Sequence, residues 1–417
     1  MRDALLGRQS CDFDFATPGD PTALARAFAK AVGGRWFLLD RVRCQSRVLV
    51  CLEGADRSYD FAPWRGPTLD EDLRLRDFTL NALAWKVEPR FDWRQLYDPL
   101  HGSQDLSSGL LRRCSDQSFG DDPLRILRGV RLASQLNLNL EPATEKAMEQ
   151  GGDGLEHVAP ERIRQEMAAI FGSPGLAKAN ASLERLKLSQ RLFGPRPAGG
   201  MTPTSELITR FEADISHCLA GEETFGLEPG ELLVDGFNRA GLYKLAFLLQ
   251  SIFREKLPPA VQRWRWSRNG LRLLQDLLGM SEDVAKTLQL LPEIARAKAL
   301  WVEDLGARPR ECLAFLWCRG GGGVELGRRL VGAWTAYEQQ LVNGRVPDLV
   351  PAVWIQNQLG WPAGPRVGQG LKTVRQAELA GRVFSRQDGE KLLKSNGEKS
   401  VDRNGGHPYN RPHVERE

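Results

Sequence analysis

The sequence has few of the residues that build disulfide frames and metal cages. Its seven cysteines include no Cys-x-x-Cys pair, so they predict reduced thiols rather than a disulfide framework or a zinc site. The five histidines are scattered, with no His-x-x-x-His spacing, which argues against a histidine-bound metal hydrolase. No apolar run is long enough to span a membrane and no basic-then-apolar leader opens the chain, so we expect a cytoplasmic protein without a membrane partner.

The sequence also lacks a strong net charge and a fixed-period repeat. A net charge of +4 over 417 residues permits a nucleic-acid partner but does not argue for one, so a basic surface has to come from local clustering. The length is sufficient for several domains with real cores. Nothing in the composition indicates an obligate protein partner.

The hydrophobic pattern predicts an α+β protein, with a small α/β head followed by a long helical region. A helix is expected at 21–32, and short strands at 35–39, 46–52 and 58–62. Helical spacing then continues at 121–135, 142–150, 160–171, 176–186, 206–219, 242–253, 271–278, 284–290, 326–342, 350–359 and 368–380. From residue 394 the chain is polar and rich in Gly, Asn and Arg, so we expect disorder there.

The stretch 11–15 carries the first candidate site. Asp12 and Asp14 are two residues apart, so on a strand they point to one face while Phe13 and Phe15 face the core. Two neighbouring carboxylates repel each other, and a divalent ion such as Mg²⁺ relieves that repulsion. The alternative is a solvated strand end or turn.

A second candidate follows in the stretch 72–84. Arg76 could bind a triphosphate through two parallel hydrogen bonds from its guanidinium group. The alternative is a capped, charged helix start near Thr79. Upstream, Asp60 lies on a predicted strand between aromatic residues, where it would serve as a third carboxylate, either a metal ligand or a base, or else as a surface acid.

The third candidate is the stretch 119–131. Asp121 suits a helix N-cap, and Asp122 and Arg125 are three residues apart, so they would be neighbours on one helix face. Cytosine and adenine each place an amino donor beside a ring-nitrogen acceptor, whereas uracil and guanine present the reverse order. A fixed Asp–Arg pair would therefore accept CTP and ATP and refuse UTP and GTP. Arg128 and Arg131 continue the same stripe, and an ordinary helix with an internal ion pair is the alternative.

These stretches resemble, in order and spacing, the motifs of the bacterial class II CCA-adding tRNA nucleotidyltransferases and their poly(A) polymerase relatives. The matching segments are 2–14 for the metal motif, 76–82 for the sugar and triphosphate motif, 98–106 for a hinge, 121–128 for base reading, 160–166 for a later neck helix and 364–372 for the tail. Five ordered motifs within about 170 residues are far more specific than any single one.

The resemblance implies a head at 1–110, a neck at 111–190, a body at 191–320 and a tail at 321–393. It implies transfer of C and A from CTP and ATP to the 3′ end of tRNA without a nucleic-acid template, with two Mg²⁺ ions. The implied site residues are Asp12, Asp14 and Asp60 for catalysis, with Asp12 and Asp14 on the metals, Arg2, Arg76, Asp77, Asn81, Asp122, Arg125, Arg128 and Arg131 for the nucleotide, and Arg366 and Lys372 for RNA phosphates.

The sequence departs from the family pattern in three places. The family begins its metal motif with a strand and Gly-Gly-x-Val-Arg-Asp, but Met1 stands at the valine, so the first strand and glycine turn are missing. We expect the natural start to lie upstream, and the intact mass of the native protein tests this. Leu75 replaces a second arginine, and Asp121 replaces a glutamate. A poly(A), A-adding or CC-adding enzyme and an inactive RNA-binding paralogue remain alternatives.

Overall fold

The computed structural model describes residues 1–52, 54–88, 93–220, 225–253, 257–280 and 291–401. The chain forms two compact units. The first comprises Met1–Thr209, Leu232–Leu245 and Leu257–Ser267, and the second comprises Arg210–Glu231, Ala246–Lys256 and Arg268–Glu417. The first unit contains a four-stranded sheet, and the described part of the second is built from helices. The predicted α+β class, with an α/β head followed by a helical region, is confirmed.

A short helix, α1 (Arg2–Leu5), precedes the sheet of the first unit. The strands are β1 (Asp12–Thr17), β2 (Arg35–Asp40), β3 (Gln45–Leu52) and β4 (Ala55–Pro63), in the spatial order β1-β4-β3-β2. β1 runs parallel to β4, and the other neighbours are antiparallel. The strands predicted at 35–39, 46–52 and 58–62 are confirmed, each slightly longer because the ladder of backbone hydrogen bonds continues beyond the alternating side chains.

Helix α2 (Pro21–Val32) covers one face of this sheet. It begins where the Asp20 carboxylate accepts hydrogen bonds from the N–H groups of Thr22 and Ala23, and it ends at Gly33, whose φ of 68° is left-handed. The helix predicted at 21–32 is confirmed, because both of its ends are set by local signals. The core beneath it consists of Ala25, Ala29, Val48, Val50 and Phe61.

The segment after the sheet does not contain the helix start that was considered near Thr79. Helix α3 (Leu69–Arg74) ends before it, and Thr79–Asn81 forms a single 3₁₀ turn. Thr68 and Glu71 cap α3 reciprocally, each side chain accepting from the other residue's N–H. Phe78 and Leu80 are fully buried, so packing rather than capping fixes this stretch.

The rest of the first unit is mainly helical. Asp122 has an extended backbone (φ −151°), so the helix predicted at 121–135 is split there and Asp121 is not its N-cap. The helices predicted at 142–150, 160–171 and 176–186 are confirmed to within one residue. The helices observed are α4 (Gly102–Ser107), α5 (Ser118–Asp121), α6 (Leu124–Gln135), α7 (Pro142–Gln150), α8 (Pro160–Gly172), α9 (Leu176–Arg185) and α10 (Ser189–Phe193).

Three short strand pairs were not predicted. They are Ala84–Trp85 with Leu96–Tyr97, Leu110–Leu111 with Asn139–Leu140, and Leu232–Val234 with Phe237–Asn238. Each strand has only two or three residues, which is too short for an alternating pattern to be recognised in the sequence.

Gly129 allows α6 to approach the segment that follows the sheet. A Cβ atom at this position would lie 2.8 Å from both Met148 Cε and Phe78 Cζ, which is closer than real side chains come. Because Phe78 is fully buried against this glycine, the residues on either side of Phe78 are held next to α6. This contact positions the candidate site described below.

Helices also make up the rest of the described chain. They are α11 (Ser205–Ala220), α12 (Arg239–Phe253), α13 (Pro259–Gln262), α14 (Arg268–Leu278), Ala295–Glu303, Pro309–Arg319, Val324–Gln340, Ala352–Leu359, Pro365–Leu379 and Arg386–Val401. The helices predicted at 206–219, 242–253, 271–278, 326–342, 350–359 and 368–380 are confirmed with shifted ends. Ala295–Glu303 and Pro309–Arg319 were not predicted, and the predicted helix 284–290 lies outside the described residues.

The expectation of disorder from residue 394 is wrong for the first part of that segment. The helix Arg386–Val401 continues through it, although most of its residues are polar. Leu393 is 1% exposed and packs in one cluster with Val350, Ile355 and Val374, which anchors the helix. Residues 402–417 lie outside the described part. None of the described helices is long and apolar enough to cross a membrane.

Candidate active site

Three carboxylates lie on one face of the sheet. Asp12 and Asp14 are two residues apart on β1, and Asp14 lies directly beside Asp60 of β4. The stacked rings of Phe13 and Tyr59, with centroids 5.0 Å apart, pack on the side of α2. Because successive side chains on a strand point to opposite faces, the three aspartates share the face away from α2. The structure therefore brings together the three carboxylates selected from the sequence.

These carboxylates repel one another. The pKa of Asp14 is raised, first because the surrounding protein removes water from its carboxyl group and then because Asp60 lies beside it. The positive charge of Arg76 opposes this rise. Asp12 accepts a hydrogen bond from the hydroxyl group of Ser58 on β4. A cation between these oxygens would remove the repulsion, so the face suits a metal ion.

Arg47 is a member of this site that sequence reasoning missed. It lies on β3 directly beside Asp60, and its guanidinium group donates to both carboxylate oxygens at 2.6 and 2.7 Å. The hydrogen bond to Asp60 is the main cause that raises the pKa of Arg47, and Asp12 and Asp14 add to it. The only signal in the sequence is that Arg47 alternates with buried Ser46 and Val48, which places it on the polar face.

The carboxylates on this face suit a divalent ion that takes its remaining ligands from water or from a substrate. In the described part of the chain, no group of three or more His, Cys, Asp or Glu side chains is arranged to hold a metal ion. Asp60 is engaged by Arg47, which leaves Asp12 and Asp14 as the available carboxylates. Mg²⁺ is typically held by one or two carboxylates together with waters and substrate phosphates, so this pair matches its requirements.

A chain of hydrogen bonds links the start of the protein to α6. Arg2 Nη1 donates to Asn81 Oδ1 at 2.8 Å, and Asn81 Nδ2 donates to Asp77 Oδ1 at 3.1 Å. The other oxygen of Asp77 accepts from Arg128 Nε at 2.9 Å. Four of the residues predicted to bind the nucleotide are therefore joined in one network, and Gly129 provides the close packing that it requires.

Asp77 is the buried centre of that network. Burial alone would raise the pKa of its carboxyl group, but the charge of Arg128 and hydrogen bonds from Asn81 and the Phe78 N–H lower the pKa below its usual value. Asp77 is 8% exposed, whereas the Arg128 side chain is 40% exposed. Asp77 thus fixes the orientation of the two cationic side chains, and Arg128 keeps an accessible surface for a ligand.

Arg76 precedes Asp77 of this network directly in the chain. Its Nη2 atom forms an ion pair with Asp72 Oδ2 at 3.0 Å, and Asp72 is 2% exposed. The Arg76 side chain is 28% exposed, and its charge reaches Asp14. Arg76 is therefore held by the buried carboxylate of Asp72 and acts on the carboxylate of Asp14. A cation fixed in this way is well placed to bind a phosphate group.

The predicted pair of Asp122 and Arg125 is not an ion pair in this structure. Asp122 accepts from Arg162 of α8 at 2.7 Å and from the Leu124 N–H at 3.2 Å. Arg125 donates to backbone carbonyl groups, including that of Leu75 at 2.8 Å. The prediction assumed that both residues sit on one helix, but Asp122 precedes α6 in extended backbone, which turns its side chain towards Arg162.

The remaining predicted residues make other contacts. Arg131 forms an ion pair with Glu166 of α8 at 2.9 Å, so it braces two helices. Arg366 and Lys372 belong to the helix Pro365–Leu379 of the second unit, and both are exposed. The Arg366 guanidinium group lies 4.6 Å from the centre of the Trp361 ring. Their contact with RNA stays a prediction.

Two family descriptions match the chain. The poly(A) polymerase head domain matches residues 1–112, and the family described as "Probable RNA and SrmB- binding site of polymerase A" matches residues 137–198. The first match covers the sheet and the network around Asp77, and the second covers α7 to α10. The chain is therefore a nucleotidyltransferase with a head of the poly(A) polymerase type.

Curated relatives define the family more narrowly. The A-adding tRNA nucleotidyltransferase of Deinococcus radiodurans is 31% identical, and the match covers 93% of this chain and 92% of the relative. The CC-adding tRNA nucleotidyltransferase of Geobacter sulfurreducens is 30% identical over 94% of this chain and 89% of the relative. The chain belongs to the tRNA nucleotidyltransferase family, as the motif resemblance implied.

Solved structures share the fold. A CCA-adding enzyme in complex with ATP has a TM-score of 0.64 at 22% identity, and the Thermotoga maritima CCA-adding enzyme in complex with tRNA has a TM-score of 0.57 at 24% identity. Each comparison covers 95% of this chain and 89% of the other. The likeness therefore covers residues of both units and is not confined to the sheet.

Proposed function

We propose that this chain adds C and A to the 3′ end of tRNA, using CTP and ATP and releasing pyrophosphate. The observation that carries the proposal is that the Asp12 and Asp14 carboxylates share one face of the sheet and that the charge of Arg76 acts on Asp14. A metal-binding face beside a phosphate-binding arginine is what transfer of a nucleotidyl group requires. The names of the relatives, which include A-adding, CC-adding and CCA-adding enzymes, support tRNA as the acceptor.

We infer that the segments 1–110, 111–190, 191–320 and 321–393 act as head, neck, body and tail. The head-domain match over residues 1–112 supports the first boundary, and the match over residues 137–198 falls mostly within the neck. In this proposal the tail holds the tRNA through phosphate contacts of Arg366 and Lys372. Because the relatives are named as tRNA-modifying enzymes, we propose a cytoplasmic location.

Asp12 and Asp14 would hold two Mg²⁺ ions. When bound, these ions would activate the 3′-hydroxyl group of the RNA and stabilise the departing pyrophosphate. In the reaction the 3′-oxygen forms a bond to the α-phosphorus while the bond to the pyrophosphate oxygen breaks. The chain supplies Arg2, Arg76 and Arg128 to neutralise the triphosphate, and Asp77 and Asn81 hold two of these cations in place.

Asp60 was considered as a metal ligand or as a base for the attacking hydroxyl group. Its engagement by Arg47 supports a different role, in which Asp60 keeps the Arg47 cation beside the other carboxylates. Either original role would use the lone pairs of Asp60 that the two hydrogen bonds from Arg47 leave free. A contact between Asp60 and a metal ion therefore stays part of the proposal.

Asp122 and Arg125 would select the base. The Asp122 carboxylate would accept from the amino group of cytosine or adenine, and Arg125 would donate to the neighbouring ring nitrogen. Asp122 precedes α6 and Arg125 lies in its first turn, and Gly129 of the same helix packs closely on Phe78. Asp122 is held by Arg162 and Arg125 is held by carbonyl groups, so both side chains are oriented before a nucleotide arrives.

A partial activity is the second candidate. The A-adding and CC-adding relatives are 31% and 30% identical, whereas the CCA-adding enzyme of Lactobacillus johnsonii is 27% identical. The names of these relatives are the reason to test whether the chain adds only C residues or only the final A. The three carboxylates and Arg76 are all present, which argues against an inactive RNA-binding paralogue.

Extension of defined tRNAs tests the proposal and separates these candidates. Purified protein is incubated with tRNA lacking its last three, two or one nucleotides, and each labelled nucleoside triphosphate is supplied separately with Mg²⁺. A CCA-adding enzyme extends all three substrates, a CC-adding enzyme stops before the final A, and an A-adding enzyme extends only the last one. The absence of incorporation on every substrate would refute the proposed activity.

A further inference from the structure

Three arginines gather around the turn that follows α3. The carbonyl oxygen of Leu75 accepts a hydrogen bond from Arg125 Nη2 at 2.8 Å and another from Arg65 Nη1 at 3.4 Å. Arg76 follows Leu75 directly in the chain. The guanidinium groups of Arg65 and Arg125 are therefore neighbours that share one acceptor, although both carry a positive charge.

Asp72 ties this group together. Its Oδ1 atom accepts from the backbone N–H of Arg65 at 3.1 Å, and its Oδ2 atom accepts from Arg76 Nη2 at 3.0 Å. The carboxylate of Asp72 is 2% exposed, so the backbone at Arg65 is anchored to a buried group. The side chain of Arg65 is exposed, and it extends from this fixed base over the Leu75 carbonyl.

The positive charges exceed the negative charge at this turn. The cations Arg65, Arg76 and Arg125 lie around the buried carboxylate of Asp72, while Asp77, whose charge also acts on Arg65, is already paired with Arg128. Loss of water lowers the pKa of Arg65, and the charges of Arg76 and Arg125 lower it further. Repulsion between cations that are held in place is relieved by an anion, and a phosphate group accepts from several guanidinium groups at once.

The position of the cluster indicates which anion it meets. Arg76 is close enough to Asp14 for its charge to act on that carboxyl group. Arg125 begins the helix of the base-reading stretch. An anion bound by Arg65 and Arg76 would therefore lie between the proposed metal-binding face and the proposed base-reading residues, where phosphate groups of the substrates have to pass.

We propose that Arg65 is a phosphate-binding residue of the nucleotidyl transfer site and acts together with Arg76. This proposal rests on the proposed function. The ligand is a phosphate group with at least two free oxygens in reach, either in the triphosphate of CTP or ATP or in the terminal phosphodiester of the RNA. A purely structural role, in which Arg65 only satisfies the carbonyl groups at the end of α3, is the competing explanation.

Steady-state kinetics of Arg65→Gln separates the two phosphate sources. Loss of a charge-assisted hydrogen bond at an exposed site is expected to raise the KM of its ligand about tenfold. A rise in the KM for CTP and ATP at saturating tRNA identifies the triphosphate, and a rise in the KM for tRNA at saturating nucleotide identifies the RNA phosphate. Arg65→Lys keeps the charge and should recover part of the loss.

The matched control is Arg74→Gln. Arg74 is an exposed arginine in the last turn of α3, and its charge acts on Tyr97 rather than on the cluster. This variant should leave both KM values unchanged. The urea midpoint of Arg65→Gln should equal that of the wild type; unchanged KM values together with a lowered midpoint would show a structural role and overturn the proposal.

Binding of inorganic triphosphate distinguishes failure of this inference from failure of the proposed function. Calorimetric titration of wild-type protein and of Arg65→Gln requires no turnover. Weaker binding by the variant supports the phosphate site even if no tRNA is extended. Equal binding by both proteins, together with unchanged KM values for nucleotide and tRNA, contradicts the inference while leaving the proposed activity intact.

Discussion

Asp14 and Asp77 belong to the same unit, but their pKa values move in opposite directions. At Asp14, loss of water and the neighbouring carboxylate of Asp60 raise the pKa. At Asp77 burial also favours the neutral form, yet Arg128, Asn81 and the Phe78 N–H outweigh it and lower the pKa. The difference lies in the partners and not in the depth of burial, since Asp77 is the more deeply buried of the two.

Asp14 and Asp77 therefore have different roles. The charge of Asp77 is fully compensated within the chain, so it stabilises the arrangement of other side chains. The charge of Asp14 is only partly compensated, by Arg76, on a solvent-accessible face, so it is available to a cation from outside. Four experiments test this distinction, starting with the largest expected effect.

The first experiment removes the carboxylates of β1. Asp12→Ala and Asp14→Asn should each lower the rate of nucleotide addition by roughly a thousandfold, because metal stabilisation of the transition state is lost. Affinity for tRNA should change little. Single-turnover extension and filter binding measure the two quantities. Asp56→Asn, at the exposed start of β4, is the control, and retained activity in Asp14→Asn would remove that residue from the site.

The second experiment asks whether Asp122 contacts a ligand, as proposed for Asp14, or only holds other side chains in place, as Asp77 does. If Asp122 meets the base, Asp122→Ala should reduce the preference for CTP over UTP by about 10- to 100-fold while the protein stays folded. Competition assays with both nucleotides measure this ratio. Asp121→Asn changes the neighbouring exposed acid and should leave the ratio unchanged. An unaltered ratio in Asp122→Ala would assign Asp122 a structural role like that of Asp77.

The third experiment breaks the compensated pair. Asp77→Asn should lower the free energy of unfolding by about 2 kcal/mol, less than for a fully buried pair because Arg128 is 40% exposed. Urea denaturation measures this change. Asp153→Asn, whose side chain is 81% exposed in its ion pair with Arg191, should cost less than about 0.5 kcal/mol.

The pH dependence of the Asp77 effect has a definite sign. Because the folded-state pKa is depressed, the contribution of Asp77 is fully present above its unfolded pKa of about 4 and is lost as the pH falls through the folded value. The difference in stability between wild type and Asp77→Asn should therefore shrink below about pH 4. A difference that grows on acidification would contradict the assignment.

The fourth experiment concerns the smallest effect. Because the pKa of Asp14 is raised, its charged form is penalised in the folded state at neutral pH, but Asp14 is exposed and water screens its charge, so Asp14→Asn should stabilise the metal-free protein by only about a few tenths of a kcal/mol. Urea unfolding in EDTA measures this gain. Added MgCl₂ should stabilise the wild type and not the variant. Destabilisation of the variant in EDTA would show that Asp14 is compensated after all.

Local signals in the sequence were sufficient for some elements. α2 was predicted with its observed ends from its hydrophobic spacing, and in the structure Asp20 and Gly33 set these ends without a tertiary partner. The helix Arg386–Val401 was missed for the opposite reason, since it is held through Leu393 against residues far away in the chain. Polar helices of this kind depend on packing that the sequence pattern does not contain.

In the candidate site, too, only the features that depend on local sequence were predicted. The face shared by Asp12 and Asp14 follows from the two-residue period of a strand and was predicted. The pairing of Arg47 with Asp60 depends on the register between β3 and β4, which no local pattern specifies. The position of Asp122 depends on Arg162 of α8, which is distant in sequence, so spacing alone predicted a pair that the structure does not form.

β1 is an edge strand in the order β1-β4-β3-β2, so one side of it presents backbone groups that no described strand covers. An uncovered edge can recruit a strand from another molecule and start aggregation. On β1 such a strand would have to lie beside Asp12 and Asp14 and would crowd their charges further. We expect the two aspartates to oppose such pairing, so variants that neutralise them should be tested for solubility as well as for activity.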